Sequence, residues 1–461
     1  MAAYDVVVIG GGPGGYAAGI RCAQKGASVA LVEKAEMGGT CLNTGCIPSK
    51  ALLASVHFLT MARHANLMGL EISGEMKVNW GKMQARKDAI VAGFRKGVTG
   101  LVQSNGIRIH AGRGIVRPGG KVTVETADGA EEIEAKKVIL ATGSVPIEIG
   151  AFPFDGKTII SSTEALSLSA IPASMVIIGG GVIGCEMACV YAAVGCKVTI
   201  VEALESLLPG EDAWAGMLLA KELKKLGIES MVGQKVTGVA VSGGAAKVSL
   251  AGGQVLDAEK VLVAVGRRAV CDKETIDALG LEMEGPAIKV NAKMETSAAG
   301  VYAIGDAVGT TYLAHGAFAE AEVAAANACG GDEEMGPYYL VPRAVYTFPE
   351  VASVGRSEKK CAVLGISTYV GKANFRSNGR SVAHNEGVGE VRVIRNTADD
   401  RVVGVTMVGA TVTEMLAAAR ALIGSKEKIT EVCFPHPTVS EVLKEAWEDA
   451  YGISLHVPPR R

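Results

Sequence analysis

Two cysteines in one short stretch are the residues of this sequence best suited to chemistry. The segment "GGTCLNTGCIPSK" runs from Gly38 to Lys50 and places Cys41 and Cys46 five positions apart. Such a pair can bind a metal ion, form a structural disulfide, or form a disulfide that opens and closes during a reaction. These three interpretations make different demands on the rest of the chain.

A redox-active disulfide is the favoured interpretation of the pair. A zinc site needs about four ligands, commonly with a Cys-x2-Cys spacing, whereas four residues separate these cysteines and no histidine or second pair is near. A structural disulfide is also disfavoured, because a loop of six residues restricts the unfolded chain little. We therefore expect no metal at this segment.

A regular helix would hold the two cysteines apart. Residues five apart in an ideal helix have Cα atoms roughly 8–9 Å apart, whereas a disulfide requires about 4.4–6.8 Å. The segment must therefore be distorted, and Gly38, Gly39 and Gly45 supply the backbone freedom. Pro48 suits the first turn of the helix that follows, and Lys50 can place positive charge beside a thiolate.

A cycling dithiol needs a proton acceptor, because a free thiol is only slightly ionised near neutral pH. The candidate is His436, in "FPHPTVSEVLKEAW", with Pro437 at a predicted N1 position and Glu441 five residues on. A carboxylate there can fix the tautomer of the imidazole and raise its basicity. The alternative is a histidine that only caps the helix. His436 lies 390 residues after Cys46, so it must fold back or come from a second subunit.

Two βαβ patterns are predicted to position this chemistry. The first, "YDVVVIGGGPGGYAAG", places Gly10, Gly12 and Gly15 after an apolar strand, and Glu33 ends the next strand. Gly10 permits a sharp turn, Gly12 lets the backbone approach a pyrophosphate, and Gly15 lets the helix pack on the strand. A carboxylate at the second strand can hold a ribose diol. The pattern therefore predicts a dinucleotide site.

The second pattern repeats the first. Gly179, Gly181 and Gly184 follow the strand Met175–Ile178, and Glu202 closes the next strand. A carboxylate at that position accepts a hydrogen bond from a 2′-hydroxyl and repels a 2′-phosphate, which favours NAD over NADP. We therefore expect one site for FAD and the other for NAD.

Two further segments suit the flavin half. "KKVILATGS" (136–144) is predicted as a strand whose turn closes over a nucleotide. "GVYAIGDAV" (300–308) is predicted as a buried strand ending in Gly305–Asp306, where Asp306 can accept a hydrogen bond from a ribityl chain. The matching strand of the NAD half is "KVLVAVGRR".

Composition narrows the function class. A chain of 461 residues is too long to fold around a single hydrophobic core, so two to four domains are expected. A net charge of −2 and the lack of a long basic tract make nucleic acid and acidic membrane surfaces poor partners. The N-terminus enters a strand directly, so neither a signal peptide nor a membrane span is expected. Ten scattered cysteines do not form a secreted framework, and a cytoplasmic location is predicted.

These motifs together resemble one enzyme family. "GGGPGG", "GGTCLNTGCIPSK", "ATGS", "GGGVIGCE", "VAVGRR", "AIGD", "YTFPEVASVG" and "HPTVSE" follow the order of the flavoprotein disulfide reductases over the whole length. Within that family, "IPSK" is similar to the dihydrolipoyl dehydrogenases. The resemblance implies an α/β fold with two Rossmann-like domains for FAD and NAD and a C-terminal α+β dimerisation domain in a homodimer. The implied domains are 1–147 and 273–341 for FAD, 148–272 for NAD, and 342–461 for the interface.

The resemblance also implies residue roles. Cys46 would be the thiol nearest the flavin, and Cys41 the thiol that attacks substrate. His436 of the partner subunit would be the acid–base, oriented by Glu441. The implied cofactor-binding residues are Gly10, Gly12, Gly15, Glu33, Thr40, Lys50, Gly114, Thr142, Gly143, Ser144, Asp306, Leu313, Ala314 and His315, then Gly179, Gly181, Val182, Ile183, Gly184, Glu186, Glu202, Val236 and Gly266. Lys50 is expected to pair with Glu186, and Val182 replaces the gating tyrosine of glutathione reductases.

The implied reaction is oxidation of a dihydrolipoyl group. The dithiol would exchange with the cysteine pair, and electrons would pass through FAD to NAD. No lipoyl domain precedes Tyr4, so the lipoyl arm is expected on an acyltransferase or carrier subunit of a 2-oxo acid, acetoin or glycine-cleavage complex. Two alternatives stay open: an NADH-driven reductase of another disulfide, and a non-catalytic redox-sensing subunit of a complex.

Four residues depart from the family pattern. Phe434-Pro435 replaces His-Ala before His436, Gly316 stands where lysine is usual, and Phe348 stands where histidine is common. These changes leave the expected chemistry intact. They leave open which disulfide substrate is used.

Overall fold

The computed structural model describes residues 2–74, 76–425 and 431–457. Met1, where the first predicted domain begins, and residues 458–461, where the last one ends, lie outside them, as do residues 75 and 426–430. The α-helices are α1 (Pro13–Gln24), α2 (Gly39–Thr44), α3 (Cys46–Arg63), α4 (Trp80–Ser104), α5 (Ser162–Ala165), α6 (Val182–Ala193), α7 (Ala213–Lys225), α8 (Lys273–Leu279), α9 (Ala314–Ala328), α10 (Glu358–Val363), α11 (Gly379–Ala383), α12 (Leu416–Leu422) and α13 (Glu441–Ala450).

The strands alternate with these helices along much of the chain. They are β1 (Ala2–Ile9), β2 (Val29–Glu33), β3 (Arg108–Ala111), β4 (Arg113–Arg117), β5 (Lys121–Thr126), β6 (Gly129–Leu140), β7 (Ser144–Pro146), β8 (Ile159–Ile160), β9 (Ser174–Ile178), β10 (Lys197–Val201), β11 (Glu229–Met231), β12 (Val236–Ser242), β13 (Ala245–Leu250), β14 (Val255–Ala258), β15 (Lys260–Val263), β16 (Arg267–Ala269), β17 (Met283–Glu284), β18 (Ala287–Ile288), β19 (Val301–Ala303), β20 (Arg343–Val345), β21 (Glu350–Gly355), β22 (Thr368–Asn374), β23 (Gly389–Asn396) and β24 (Val402–Gly409).

The chain forms two compact units. The first comprises residues up to 51, 81–147 and 266–338. The second comprises 52–80, 148–265 and the residues from 339 onward. The finer domain boundaries expected from the resemblance stay predictions.

A seven-stranded sheet forms the centre of the first unit. Its order is β3-β2-β1-β6-β5-β4, with β19 also paired to β6. Strands β1, β2, β3, β6 and β19 pair in parallel, whereas β4 and β5 run antiparallel to their neighbours. Val6 and Val8 pack into one apolar cluster with α1 and α9, and Val7 and Ile9 pack into another on the opposite face. Burial on both faces explains the unbroken apolar run in β1.

The second unit contains a parallel sheet of its own, in the order β11-β10-β9-β15-β8. Helix α6 follows β9 directly, as α1 follows β1. An antiparallel sheet, β12-β13-β14, packs into the same apolar cluster as β9 and β15. Two Rossmann-like βαβ regions are therefore present, which confirms that part of the predicted fold class.

The C-terminal part of the second unit is α+β. Its antiparallel sheet has the order β20-β21-β24-β23-β22, and Ala446 and Trp447 of α13 are buried against it. A β-carbon at Gly371 would overlap the carbonyl oxygen of Ala446, so β22 and α13 approach closely. The N–H of Lys372 donates to Asp449 at 2.7 Å. These contacts fix α13 and thereby the position of its first residues.

Candidate functional site

The first glycine turn (Gly10–Gly15) joins β1 to α1. Gly10 has φ +108°, which favours glycine. A β-carbon at Gly15 would lie well under 3.0 Å from the Gly10 carbonyl oxygen, so no larger residue fits. Glu33 accepts the N–H of Gly11 at 2.6 Å and that of Ala35 at 2.8 Å. Glu33 and the close approach of Gly15 to Gly10 therefore fix the conformation of the turn. Because its glycines carry no side chains, a pyrophosphate can approach the backbone.

The second glycine turn (Gly179–Gly184) repeats this geometry between β9 and α6. Gly179 has φ +109°, and a β-carbon at Gly184 would overlap the Gly179 carbonyl oxygen. Glu202 accepts the N–H of Gly180 at 2.6 Å and that of Leu204 at 2.8 Å. Two turns of the same kind thus lie in one chain.

The cysteine segment is two helices rather than one. Gly45, with φ −145° and ψ −113°, separates α2 from α3. A β-carbon there would lie 2.8 Å from the Thr40 carbonyl oxygen and 3.2 Å from the Cys41 Cα. Because only glycine permits this approach, the chain can fold back on itself between the two cysteines. The expected distortion of the helix is present.

Cys41 and Cys46 carry thiols that contact each other. The hydrogen bond between the two side chains, together with burial, raises the pKa of Cys41. Cys46 is exposed, whereas Cys41 is only partly so. Burial and the nearby Cys41 also raise the pKa of Tyr16. The pair is therefore a close dithiol that requires a base to ionise it.

Arg267 gathers several predicted cofactor residues around the cysteine segment. Its Nε donates to the Ser144 hydroxyl at 2.7 Å, and its Nη2 donates to the Ser144 carbonyl at 2.8 Å and lies 3.4 Å from the Thr40 hydroxyl. Ser144 in turn donates to Asp306. Burial lowers the pKa of Arg267, although Asp306 and Cys46 oppose the shift. The sequence analysis missed this residue; a basic side chain directly after the apolar strand of "VAVGRR" was the available signal.

Glu320 is a second residue that the sequence analysis missed. Its buried carboxylate accepts the N–H of Gly305 at 2.6 Å and the hydroxyls of Thr310 and Tyr338 at 2.8 Å each. Burial raises the pKa of Glu320 even though these donors oppose it. The carboxylate thus holds the short 3-10 helix that carries Asp306. An acidic residue in the alanine-rich α9 was the signal for it.

The segment before Asp306 differs from the predicted strand. β19 ends at Ala303, and Gly305–Val308 form a 3-10 helix. Gly305 has φ +68°, which a continuing strand does not permit. Asp306 therefore lies in a turn beyond the strand, where it accepts from Ser144.

His436 and Glu441 form the predicted dyad. The Nδ1 of His436 lies 3.0 Å from Glu441 Oε1, and the imidazole is 79% exposed. Although burial opposes it, hydrogen bonds from the Thr438 N–H and from His436 lower the pKa of Glu441. Because Nδ1 faces the carboxylate, Nε2 is directed away from it and is available for proton transfer.

The predicted N1 position of Pro437 is wrong. α13 begins at Glu441, four residues later. Thr438 N–H donates to Glu441 Oε2 at 2.8 Å, and the Thr438 hydroxyl contacts the Ser440 hydroxyl. Side-chain hydrogen bonds therefore hold the turn between Pro437 and the first residue of α13.

Two of the remaining predicted residues lie inside helices, and the others lie in or near the ends of strands and helices. Glu186 is buried in α6 and accepts the N–H of Tyr346 at 3.0 Å. Lys50 lies in α3 of the first unit, and its pairing with Glu186 stays a prediction. The others lie in β4 (Gly114), beside Ser144 (Thr142, Gly143), at the start of α9 (Leu313, Ala314, His315), at the start of α6 (Val182, Ile183), at the start of β12 (Val236) and just before β16 (Gly266).

The family departures have local explanations. The Phe348 ring stacks on the His57 ring, with centroids 5.2 Å apart and planes at 16°. Phe434 packs against the apolar cluster of the C-terminal sheet, and Pro435 accepts a hydrogen bond from Thr438. A β-carbon at Gly316 would overlap the Thr311 hydroxyl, so a lysine at this position would require the Thr311 side chain to move.

The described residues contain neither a cluster of metal ligands nor a membrane-spanning helix. Within residues 2–74, 76–425 and 431–457, no three side chains of His, Cys, Asp or Glu come together as metal ligands. Across the same residues no helix is long and apolar enough to cross a bilayer.

Comparison with known proteins gives the family. Residues 4–325 match the family described as pyridine nucleotide-disulphide oxidoreductase, and residues 341–447 match its dimerisation domain. The dihydrolipoyl dehydrogenase of Bacillus subtilis is 38% identical over 98% of this chain and 99% of its own length. Dihydrolipoyl dehydrogenase 3 of Pseudomonas putida is 38% identical over 99% of this chain and 100% of its own. The solved structure of LpdA from Mycobacterium tuberculosis superposes with a TM-score of 0.90 at 25% identity, covering 97% of this chain and 99% of that one. With both of its domains matched and relatives similar over their whole length, the chain belongs to the pyridine nucleotide-disulphide oxidoreductase family.

Proposed function

We propose that this protein is a dihydrolipoyl dehydrogenase, an enzyme that oxidises dihydrolipoyl groups and reduces NAD. The observation that carries the proposal is the contacting dithiol of Cys41 and Cys46, packed against the first glycine turn through Gly39 and Gly12. The relatives named above support the same activity.

The residues present fit both cofactors of the family. The first glycine turn with Glu33, and the Ser144–Asp306–Arg267 cluster, would hold FAD. The second glycine turn with Glu202 would hold NAD. Bound FAD supplies the two-electron chemistry that links a dithiol to a nicotinamide.

The protein's own groups perform the thiol chemistry. One sulfur of the substrate exchanges with the Cys41–Cys46 disulfide, with Cys41 as the attacked sulfur and Cys46 as the leaving thiolate. Because the pKa of Cys41 is raised, its thiol keeps its proton near neutral pH, and a base must accept that proton before the sulfur can react. The Nε2 of His436 would take the substrate proton, while Glu441 holds Nδ1 and stabilises the imidazolium.

We propose that the base comes from a second copy of the chain. His436 lies inside the matched dimerisation domain, and its side chain is 79% exposed in the single chain. A homodimer could therefore bring His436 of the partner subunit to the dithiol. The lipoyl-bearing acyltransferase or carrier partner and the cytoplasmic location stay predictions, which pull-down and cell fractionation would test.

Steady-state turnover tests the proposed activity. Purified, flavin-loaded protein should reduce NAD with dihydrolipoamide, and NADP should be used at least about tenfold less well because Glu202 repels a 2′-phosphate. Reduction of a different disulfide by NADH, without dihydrolipoamide oxidation, would establish the NADH-driven alternative instead.

Cysteine replacement separates an enzyme from a sensing subunit. Cys41→Ser should abolish dihydrolipoamide turnover while NADH still reduces the flavin, because the second glycine turn is untouched. Unchanged turnover in this variant would exclude the proposed thiol mechanism.

A further inference from the structure

A second pair of cysteines lies outside the proposed reaction. Cys22 is in α1 and is fully buried, whereas Cys329 directly follows α9 and is partly exposed. Both helices belong to the first unit and pack on the same face of its sheet. The proposed activity uses neither thiol.

The two residues converge on one carbonyl oxygen. The Cys22 sulfur lies 4.0 Å from the oxygen of Ala325, and the N–H of Cys329 donates to the same oxygen at 3.2 Å. Cys22 is a member of the apolar cluster between α1 and the sheet, and Cys329 packs against that cluster. Burial, with the charge and hydrogen bond of Cys329, raises the pKa of Cys22. The thiols are therefore neighbours although they are remote in sequence.

The backbone around Cys329 can adjust. Gly330 follows it with φ +91°, and no atom of the described residues lies within 4 Å of a β-carbon built there. A cysteine at the end of a helix, next to a glycine with space around it, can shift toward a partner more easily than one inside a helix. Disulfide closure requires such a shift, because sulfur atoms in contact as thiols must approach to about 2.05 Å.

We propose that Cys22 and Cys329 form a second redox pair, which a hydroperoxide converts into a disulfide joining α1 to α9. Cys329, the partly exposed residue of the two, attacks the peroxide through its sulfur, which breaks the O–O bond and leaves a sulfenic acid and an alcohol or water. The Cys22 sulfur then displaces the sulfenic oxygen as water, and the S–S bond forms. Two thiols and one hydroperoxide thus give one disulfide, one alcohol (or water) and one water.

The bond would stabilise the first unit. α1 begins at the first glycine turn, and α9 carries Glu320, which holds the 3-10 helix of Asp306. A covalent link between these helices would close a long loop of the unfolded chain, which is where a disulfide restricts it most. The oxidised protein should therefore resist thermal unfolding, and a thiol reductant should reverse the effect.

Peptide mapping of the full-length, flavin-loaded protein tests the bond. The protein is treated with hydrogen peroxide, its remaining thiols are alkylated, and it is digested with trypsin without reductant. Cleavage releases the four-residue peptide 22–25 and the peptide 294–343. We expect the two to be found cross-linked, with the mass of their sum less two hydrogens. Alkylated Cys22 beside oxidised or alkylated Cys329 would overturn the proposal.

Matched variants test the consequence. Peroxide should raise the melting temperature by about 2–4 °C, and this shift should be absent in Cys22→Ser and in Cys329→Ser. Cys271→Ser, which removes another partly exposed thiol of the first unit, should keep both the cross-link and the shift. A peroxide-dependent shift of equal size in Cys22→Ser would overturn the stabilising role. This outcome is independent of the proposed activity, since both readouts are made without substrate.

Discussion

The two glycine turns have almost identical backbone geometry but differ in what packs against them. Each has a first glycine near φ +108°, a last glycine whose β-carbon would overlap the first, and a glutamate that holds the turn. In the first turn, a β-carbon on Gly39 would lie 2.7 Å from the Cα of Gly12. In the second, no atom of the described chain lies within 4 Å of a β-carbon at Gly181, and Val182 is 42% exposed.

The first turn is covered by the cysteine segment, whereas the second turn is open. The cysteine segment packs directly on the first turn, so a dinucleotide bound at this turn would lie beside the dithiol. The second turn has no such cover in the described residues of its unit, which suits a nucleotide that binds and leaves. The same glycine turn can therefore suit a dinucleotide that stays bound or a nucleotide that binds and leaves, depending on whether another segment packs against it.

Breaking the shared geometry has the largest expected effect. Gly15→Ala and Gly184→Ala each place a methyl group on a carbonyl oxygen, which costs about 3 kcal/mol or more. Both variants should lose NAD-linked turnover by more than about 100-fold. Only Gly15→Ala should also lose flavin, as measured by the ratio of visible to ultraviolet absorbance. Equal flavin content in the two variants would contradict the assignment of FAD to the first turn.

Substitutions at Gly39 and Gly181, where the packing around the two turns differs, have smaller expected effects. Gly39→Ala strains a residue at φ +56° and drives a methyl group against Gly12, which should lower the unfolding free energy by about 1–3 kcal/mol. Gly181→Ala meets no protein atom, so stability should change by less than about 0.5 kcal/mol while the KM for NAD rises about tenfold. Denaturant unfolding and NAD titration measure both. Loss of stability in Gly181→Ala would show that the second turn is not open.

The local motifs could be predicted because their physical cause lies within a few residues. The turn glycines and the distortion at Gly45 follow from spacing and backbone conformation. The two glutamates lie 22 residues from the turn residues that they contact, but the βαβ pattern fixes their place at the end of the second strand. The start of α13 was not predicted in this way, because Pro437 lies in a turn that the Thr438–Glu441 hydrogen bond holds, four residues before the helix begins.

Arg267 and Glu320 could not be predicted in the same way. Arg267 acts on Ser144, which is 123 residues away. Glu320 acts on Gly305 and Tyr338, which reach it only once α9 packs beside the end of β19. In the sequence, each appears as a charged residue in an apolar stretch. This pattern indicates that a hydrogen-bond or ion-pair partner exists, but it does not indicate which residue that partner is. The pairing of Lys50 with Glu186 stays a prediction for the same reason.

The smallest expected effect concerns the titration of Glu320, a further carboxylate that holds backbone in the first unit. Because burial raises its folded-state pKa above the unfolded value, the folded state binds its proton more tightly, and stability should fall as pH rises between the two values. Glu320→Gln keeps an acceptor for Gly305 and can donate to the hydroxyls of Thr310 or Tyr338, so it should be near wild-type stability at neutral pH.

A pH series isolates this carboxyl from other titrating groups. The unfolding free energy of the wild type minus that of Glu320→Gln should increase as pH is lowered from about 7 toward the unfolded-state value near 4.3. Glu320→Ala is the control for lost hydrogen bonds; it should be about 2–3 kcal/mol less stable than Glu320→Gln at every pH, since neither variant titrates and three donors lose their acceptor. Parallel curves for the wild type and Glu320→Gln would mean that Glu320 titrates normally. Its part in the first unit would then be its hydrogen bonds to Gly305, Thr310 and Tyr338 alone.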